Sequence, residues 1–247
     1  MKKTVCLVTG FLFAFCVLHA QEKEPRLIAE ISIGPSFPIG SFATKDYPGI
    51  TEKDQPGMAG GVGMSANATF GYYLNENIGL LLTAGYSTNK QKSEGYAEYF
   101  KDNYYTGATR VDVTTNSWKI IKVMAGGFLV TPLTEDKLNL VTKISAGICK
   151  TAVPAYKWWA FRDAAAPFAG GSQGEEKMPA TFCYQISLGL QYKLNKKLHL
   201  LFDINSFNAT ATRAEPAQIA TPPIPTIPDH KYKLGTVNAL IGVGVSF

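Results

Sequence analysis

Apolar and polar residues alternate along most of this chain, and the alternation is cleanest over residues 232–247, YKLGTVNALIGVGVSF. Val237, Ala239, Ile241, Val243, Val245 and Phe247 share one face; Asn238, Gly242, Gly244 and Ser246 share the other, with Leu240 the exception. A period of two marks a strand with one apolar side. The same period recurs upstream. Residues 27–37 set Leu27, Ala29, Ile31 and Ile33 against Glu30, Ser32 and Gly34. Residues 58–73 turn Met58, Val62, Met64, Ala66, Ala68, Phe70 and Tyr72 one way, and residues 78–88 do the same with Ile78, Leu80, Leu82, Ala84 and Tyr86. Further strands are predicted over 138–149, 181–194 and 198–207. The stretch 118–130 reads in either phase. Placing Ile121, Val123, Ala125 and Leu129 outward keeps Lys122 inside, which is preferred because a lipid-facing lysine near the midplane costs ~2–4 kcal/mol.

Between the strands, residues 38–56, 89–110, 150–178 and 208–231 form long connections, while 75–77, 131–137 and 195–197 form short ones. Prolines at 216, 222, 223, 225 and 228 bar a regular strand from the last long connection. Long and short connections alternate strictly. The reading is all-β: an eight-stranded antiparallel transmembrane β-barrel with four long extracellular loops and three short periplasmic turns. Aromatics near strand ends are expected to form interfacial girdles, with Tyr72, Tyr73, Tyr192 and Phe247 at the periplasmic rim and Phe37, Tyr86, Trp118 and Tyr232 at the other.

Residues 1–20 read as a secretory leader: Lys2 and Lys3, an apolar core from Val5 to Leu18, and Ala20 before the cut. Bulky Phe15 argues against lipoprotein processing at Cys16. One barrel domain, 21–247, follows, and no later stretch offers the apolar run of a spanning helix. The net charge of +5 includes the two leader lysines and is not concentrated in a basic run, which argues against a nucleic-acid partner.

The chain's last residues resemble the C-terminal signal by which Gram-negative outer-membrane barrels are recognised for assembly. Gly242, Val245 and Phe247 match; Leu240 stands where a polar residue is usual. The whole pattern after the leader resembles the outer-membrane β-barrel domain family that includes the OmpA transmembrane domain, OmpX and OmpW. The resemblance implies an outer-membrane location with both termini periplasmic, and partners in outer-membrane lipid and the barrel-assembly machinery. The expected role is non-enzymatic: envelope structure, and adhesion or binding of an extracellular ligand or host surface through the loops. The alternative is a narrow porin-like channel or a conduit for small hydrophobic molecules.

Candidate chemistry is sparse. Residues 61–66 fit a loose glycine-rich dinucleotide pattern, but they sit in an alternating strand without the required following helix. No cofactor is expected. Glu30, Lys143, His199 and Asp203 all point inward, and an eight-stranded barrel has no open lumen, so they are expected to pair as a structural network. With only His199 and His230 after the leader, neither a histidine metal cluster nor a nucleophile triad is signalled. Cys149 and Cys183 lie at similar height on sequential strands and form either a disulfide clasping the intervening loop or two buried thiols. Tyr96, Tyr99, Tyr104, Tyr105, Trp158, Trp159 and Phe161 place rings on the long loops, with Trp158 and Trp159 the leading candidates for ligand contact. The opposing reading is that these rings pack on one another.

Overall fold

The structure, a computed structural model, describes residues 26–44, 54–55, 59–134, 137–162, 166–213 and 230–247. The leader, Met58 and the proline-rich stretch around Pro222 lie outside them. In chain order the first strands are β1 (Leu27–Pro38), the two-residue β2 (Asp54–Gln55), β3 (Gly63–Tyr73) and β4 (Ile78–Lys90). Helix α1 (Glu94–Asn103), β5 (Arg110–Thr115), β6 (Ser117–Pro132) and β7 (Leu138–Val153) come next. Then follow β8 (Tyr156–Phe161), β9 (Pro167–Gln173), β10 (Glu176–Lys177), β11 (Thr181–Lys193), β12 (Leu198–Arg213) and β13 (His230–Ser246).

Eight of these strands close a barrel in the order β1, β3, β4, β6, β7, β11, β12, β13, every neighbour antiparallel. Closure comes from β13 pairing back onto β1, with Ile31 opposite Val243 and Ile33 opposite Ile241. Leu27 and Phe247 exchange backbone hydrogen bonds of 2.9 Å in both directions, so the ladder runs to the last residue. A closed ladder leaves no edge with unpaired backbone groups, which is the condition for a sheet surrounded by lipid.

The outer face is apolar. Ile31, Ile33, Leu80, Leu82, Ile121, Val123, Ile144, Ile148, Ile186, Leu188, Phe202, Ile241 and Val243 are all exposed. Lys122 points inward and is 1% exposed, so the preferred phase of β6 holds. That phase carries a consequence for its neighbour at even spacing. Trp118 also faces inward and is fully buried, as is Tyr232 nearly so, and neither belongs to a girdle. Phe37 and Tyr86 do face outward. At the other rim Tyr72, Tyr192 and Phe247 are exposed, whereas Tyr73 turns in and packs edge-on against Phe128, ring centroids 4.9 Å apart.

The barrel is taller than the alternation alone suggested. Strands β6, β7 and β12 run 16 residues and β13 runs 17, against the ~9–11 that a tilted strand needs to cross a bilayer core. Residues 208–213, expected in a loop, continue β12, and 150–153 continue β7. Exposed Lys119, Lys150 and Lys233 mark where the outward apolar run on β6, β7 and β13 ends.

Two of the short turns are built alike. Asn75 Oδ1 accepts from the Asn77 and Ile78 amides at 2.9 and 2.8 Å, and Asn195 Oδ1 accepts from those of Lys197 and Leu198, both at 2.8 Å. Such Asx turns supply the local bonds that a tight reversal leaves unmade. The second and third long connections carry regular structure too. α1 and a three-stranded sheet ordered β5, β8, β9 stand on the end of the barrel opposite the short turns.

Candidate functional site

Two places carry the polar and aromatic residues from which a function would be built: the bore, and the superstructure above it. Inward positions alternate with the belt, so each strand contributes every second side chain to the bore. At its short-turn end Ile28, Leu81, Phe128, Val130 and Val141 form an apolar layer, closed by Tyr73. The Phe128 ring lies where a Cβ on Gly79 would stand, so glycine there makes room for the seal.

Above that layer the structure brings together the four charged or ionisable side chains expected there. Lys143 Nζ donates to Glu30 Oε2 at 2.6 Å and lies 3.7 Å from Asp203 Oδ2. His199 Nε2 sits 3.5 Å from Glu30 Oε1, an electrostatic contact without hydrogen-bond alignment. Its ring occupies the space a side chain at Gly244 would need. All four groups are at least four-fifths buried, and in that setting a carboxylate persists only if compensated.

The alternation also places Thr69, Thr83, Lys122 and Asn238 inward; what it did not single out are partners such as Gln185, Gln191, Asn139 and Asn205. Asn139 donates to Gln191 at 3.0 Å, Thr69 and Thr83 share a 3.0 Å bond, and Lys122 Nζ donates to Gln185 Oε1 at 2.6 Å. The Lys122 ammonium also lies 4.8 Å from the Phe207 ring centroid, a cation–π contact. Higher up, Asn238 donates to Asn205 at 2.7 Å, and Asn89 donates to the Ser36 carbonyl at 3.0 Å. Inward parity was the signal that marked them. A second apolar layer closes the upper bore. Phe42, carried by a 3-10 turn (Gly40–Ala43), meets Trp118 edge-on at 5.6 Å, and Tyr232 packs on Trp118 from 5.5 Å.

Cys149 and Cys183 lie in this upper layer, both buried. In this structure they are free thiols, the second of the two expected states, with their side chains in hydrogen-bonding contact. Cys149 is opposite Thr181, and Cys183 is opposite Gly147, so the two are diagonal rather than facing.

In the superstructure Trp158 is half-buried among other rings. It packs 4.9 Å from Tyr105 and 5.6 Å from Phe100 of α1, while Tyr96 stacks on Tyr156 at 5.0 Å. Burial pushes the Tyr156 phenol above its usual pKa. The rings therefore hold the sheet against α1, as the opposing reading held. Trp159, one residue on, takes the other face, registered between Asp112 and Gly170. On that side Arg110 lies 4.3 Å from the Phe161 ring centroid and pairs with Asp112 at 3.0 Å. Ion pairs tie the β9 to β11 connection to the barrel: Lys119 to Glu175 and Arg213 to Glu176, each 2.8 Å. Among the described residues, no group of three His, Cys, Asp or Glu side chains converges as a metal site.

The arrangement defines a class: a closed eight-stranded antiparallel barrel with an apolar outer belt, a plugged bore and a folded superstructure. No protein-family model matches the chain, and no curated protein matches it in sequence. Among solved structures it is similar to Neisserial surface protein A, at 10% identity over 90% of this chain and 97% of that one, TM-score 0.47. It is also similar to Ail of Yersinia pestis, at 14% identity over 91% and 100%, TM-score 0.40. The N-terminal β-barrel domain of Pseudomonas aeruginosa OprF gives 12% identity over 91% and 100%, TM-score 0.37. The barrel itself rests on its own closed ladder.

Proposed function

We propose that this chain is an integral outer-membrane barrel of a Gram-negative cell, non-enzymatic, acting in envelope structure and surface recognition through its superstructure. One observation carries the reading: a continuous apolar belt surrounds a bore that is closed at both ends. The belt needs lipid, because exposed apolar surface on this scale has no place in water. The seals of Phe128 with Tyr73, and of Phe42 with Trp118 and Tyr232, remove the bore as a route for solutes. What remains accessible is the superstructure, with Trp159, Arg110 and Lys157 on its open face. Long loops face outward in barrels of this class, so Leu27 and Phe247 lie on the periplasmic side. Gly242, Val245 and Phe247 are the proposed contact with the barrel-assembly machinery.

The test is reconstitution of residues 21–247 into planar bilayers, with insertion followed by a heat-modifiable gel shift. Stable insertion without conductance supports the reading. Reproducible salt-dependent steps overturn it in favour of a narrow channel, and failure to insert removes the membrane placement altogether. The recognition part is tested on cells displaying the barrel with and without residues 93–115. Equal adhesion to abiotic and host surfaces by both would refute it.

A further inference from the structure

The sheet of β5, β8 and β9 packs through one face only. Val111, Val113, Trp158 and Ala160 lie on the side that meets Phe100 and Tyr105. Residues directly opposite one another in an antiparallel ladder share a face, so the register sets three rows on the other side. Asp112, Trp159 and Gly170 form the central row. Thr114, Lys157 and Ser172 flank it on one side, and Arg110 with Phe161 on the other. Every one of these residues is exposed or half-buried.

The rows differ in chemistry. The pyrrole edge of Trp159 leans over Gly170, where a Cβ would come within 3.1 Å of Cδ1, so no side chain on β9 hoods the indole. Arg110 covers Phe161, 4.3 Å from its ring centroid, and its Nε donates to Asp112 Oδ1 at 3.0 Å. That contact uses one guanidinium nitrogen and one carboxylate oxygen, which leaves donors and an acceptor side by side next to the indole. The row of Thr114, Lys157 and Ser172 holds two hydroxyls and an ammonium but no acid. Among the described residues, none forms an ion pair with Lys157.

We propose that this open face binds a carboxylate-bearing pyranose, an acidic sugar unit of a surface glycan. The proposal rests on the superstructure being the recognition element and names the class of its ligand. The C–H face of a pyranose is apolar and weakly electropositive, which suits the electron-rich face of an indole. Neighbouring hydroxyls on the ring can donate to Asp112 and accept from Arg110. The carboxylate reaches along β8 to Lys157, two residues and roughly 6–7 Å from Trp159, where Thr114 and Ser172 add donors. Charge decides the class. Arg110 and Asp112 cancel while Lys157 stands alone, so the face is complementary to a single negative charge. A cationic ligand would be repelled there, and a neutral sugar would leave that row unused.

The experiment titrates residues 21–247 in nanodiscs with a hyaluronan hexasaccharide, which carries carboxylates and no sulfate. Binding is read by saturation transfer to the sugar and by tryptophan fluorescence. The expected result is saturable binding, with the carboxyl-reduced hexasaccharide bound roughly two- to fivefold more weakly. Trp159→Ala should weaken binding about tenfold. Lys157→Gln should erase the preference for the acidic form and leave binding of the reduced form unchanged. Protease resistance of α1 in the Trp159 variant separates a lost contact from a lost fold. No binding by the parent, binding that survives Trp159→Ala, or equal affinity for the two forms overturns the proposal. So does tighter binding of a sulfated hexasaccharide that ignores both substitutions, which is charge attraction alone. The recognition reading fails separately: adhesion lost with residues 93–115 but no sugar bound removes the sugar and keeps recognition, whereas equal adhesion removes both.

Discussion

Replacing Lys143 with methionine removes the one cation that Glu30 and Asp203 share, with little change in volume. At 2.6 Å from Glu30 Oε2, the direct attraction in a medium of effective dielectric ~20 is about 6 kcal/mol. Much of this offsets the cost of bringing three charges into the bore. The loss on breaking such a buried pair is therefore ~3–5 kcal/mol, most of it the penalty of carboxylates left without a partner. His199 stands 3.5 Å from Glu30 but lacks the alignment to replace the lysine. With a urea slope of ~2 kcal/mol/M, Lys143→Met should lower the unfolding midpoint in lipid vesicles by roughly 1.5–2.5 M, the slope itself unchanged. The triple variant Lys143→Met, Glu30→Gln, Asp203→Asn removes the three charges of the cluster at once and should recover to within about 1 kcal/mol of the parent, because uncharged groups need no counter-ion. Unfolding is read by the gel shift and by tryptophan fluorescence. A single variant that loses less than ~1 kcal/mol would refute the reasoning. It would mean that water screens the carboxylates, and hence that the bore is open enough to conduct.

Three further outcomes follow from the same geometry. Phe128→Ala should cost ~3–5 kcal/mol yet leave the barrel non-conducting, because Phe42, Trp118 and Tyr232 still close the upper bore; measurable steps from this single variant would place the whole barrier at Phe128. Cys149 and Cys183 should both resist maleimide in the folded barrel and both react after denaturation without reductant; a mass lower by two hydrogens in the unreduced chain would restore the disulfide. Trp158→Ala removes the ring contacts to Phe100 and Tyr105, at ~0.5–1.5 kcal/mol each beyond burial, and should expose α1 to protease, whereas Trp159→Ala should not; equal cleavage of the two variants would contradict the assignment of their faces.

The barrel was legible because its physics is local: period two with one lipid face is written into every strand, and alternation of short and long connections fixes the count. The bore was legible in part for the same reason. Parity sent Glu30, Lys143, His199 and Asp203 inward, and three charges and a histidine in one narrow space have to meet. Parity also bears on Trp118: residues 118 and 122 share a face, so keeping Lys122 from lipid excludes Trp118 from the girdle. Nearness to a strand end points the other way, but that cue assumes a strand no longer than the membrane is thick. Strand β6 is 16 residues long, so its upper end lies inside a wall that continues past the belt.

The cysteines show the limit of parity. It reports the face and the approximate height, but not register, which sets Cys149 and Cys183 two residues apart across β7 and β11. The superstructure was missed for a different reason. Val111 and Val113 alternate with Arg110, Asp112 and Thr114, and Tyr156, Trp158 and Ala160 alternate with Lys157 and Trp159. The strand signal is therefore present in segments read as loops on their polar composition. What no local pattern carries is the pairing itself. Val113 meets Trp158 and Val111 meets Ala160 across the whole hairpin of β6 and β7, which first has to form and hold the two segments side by side. The superstructure is thus a product of the barrel beneath it, and a variant that loosens β6 against β7 should unfold the sheet of β5, β8 and β9 before it opens the bore.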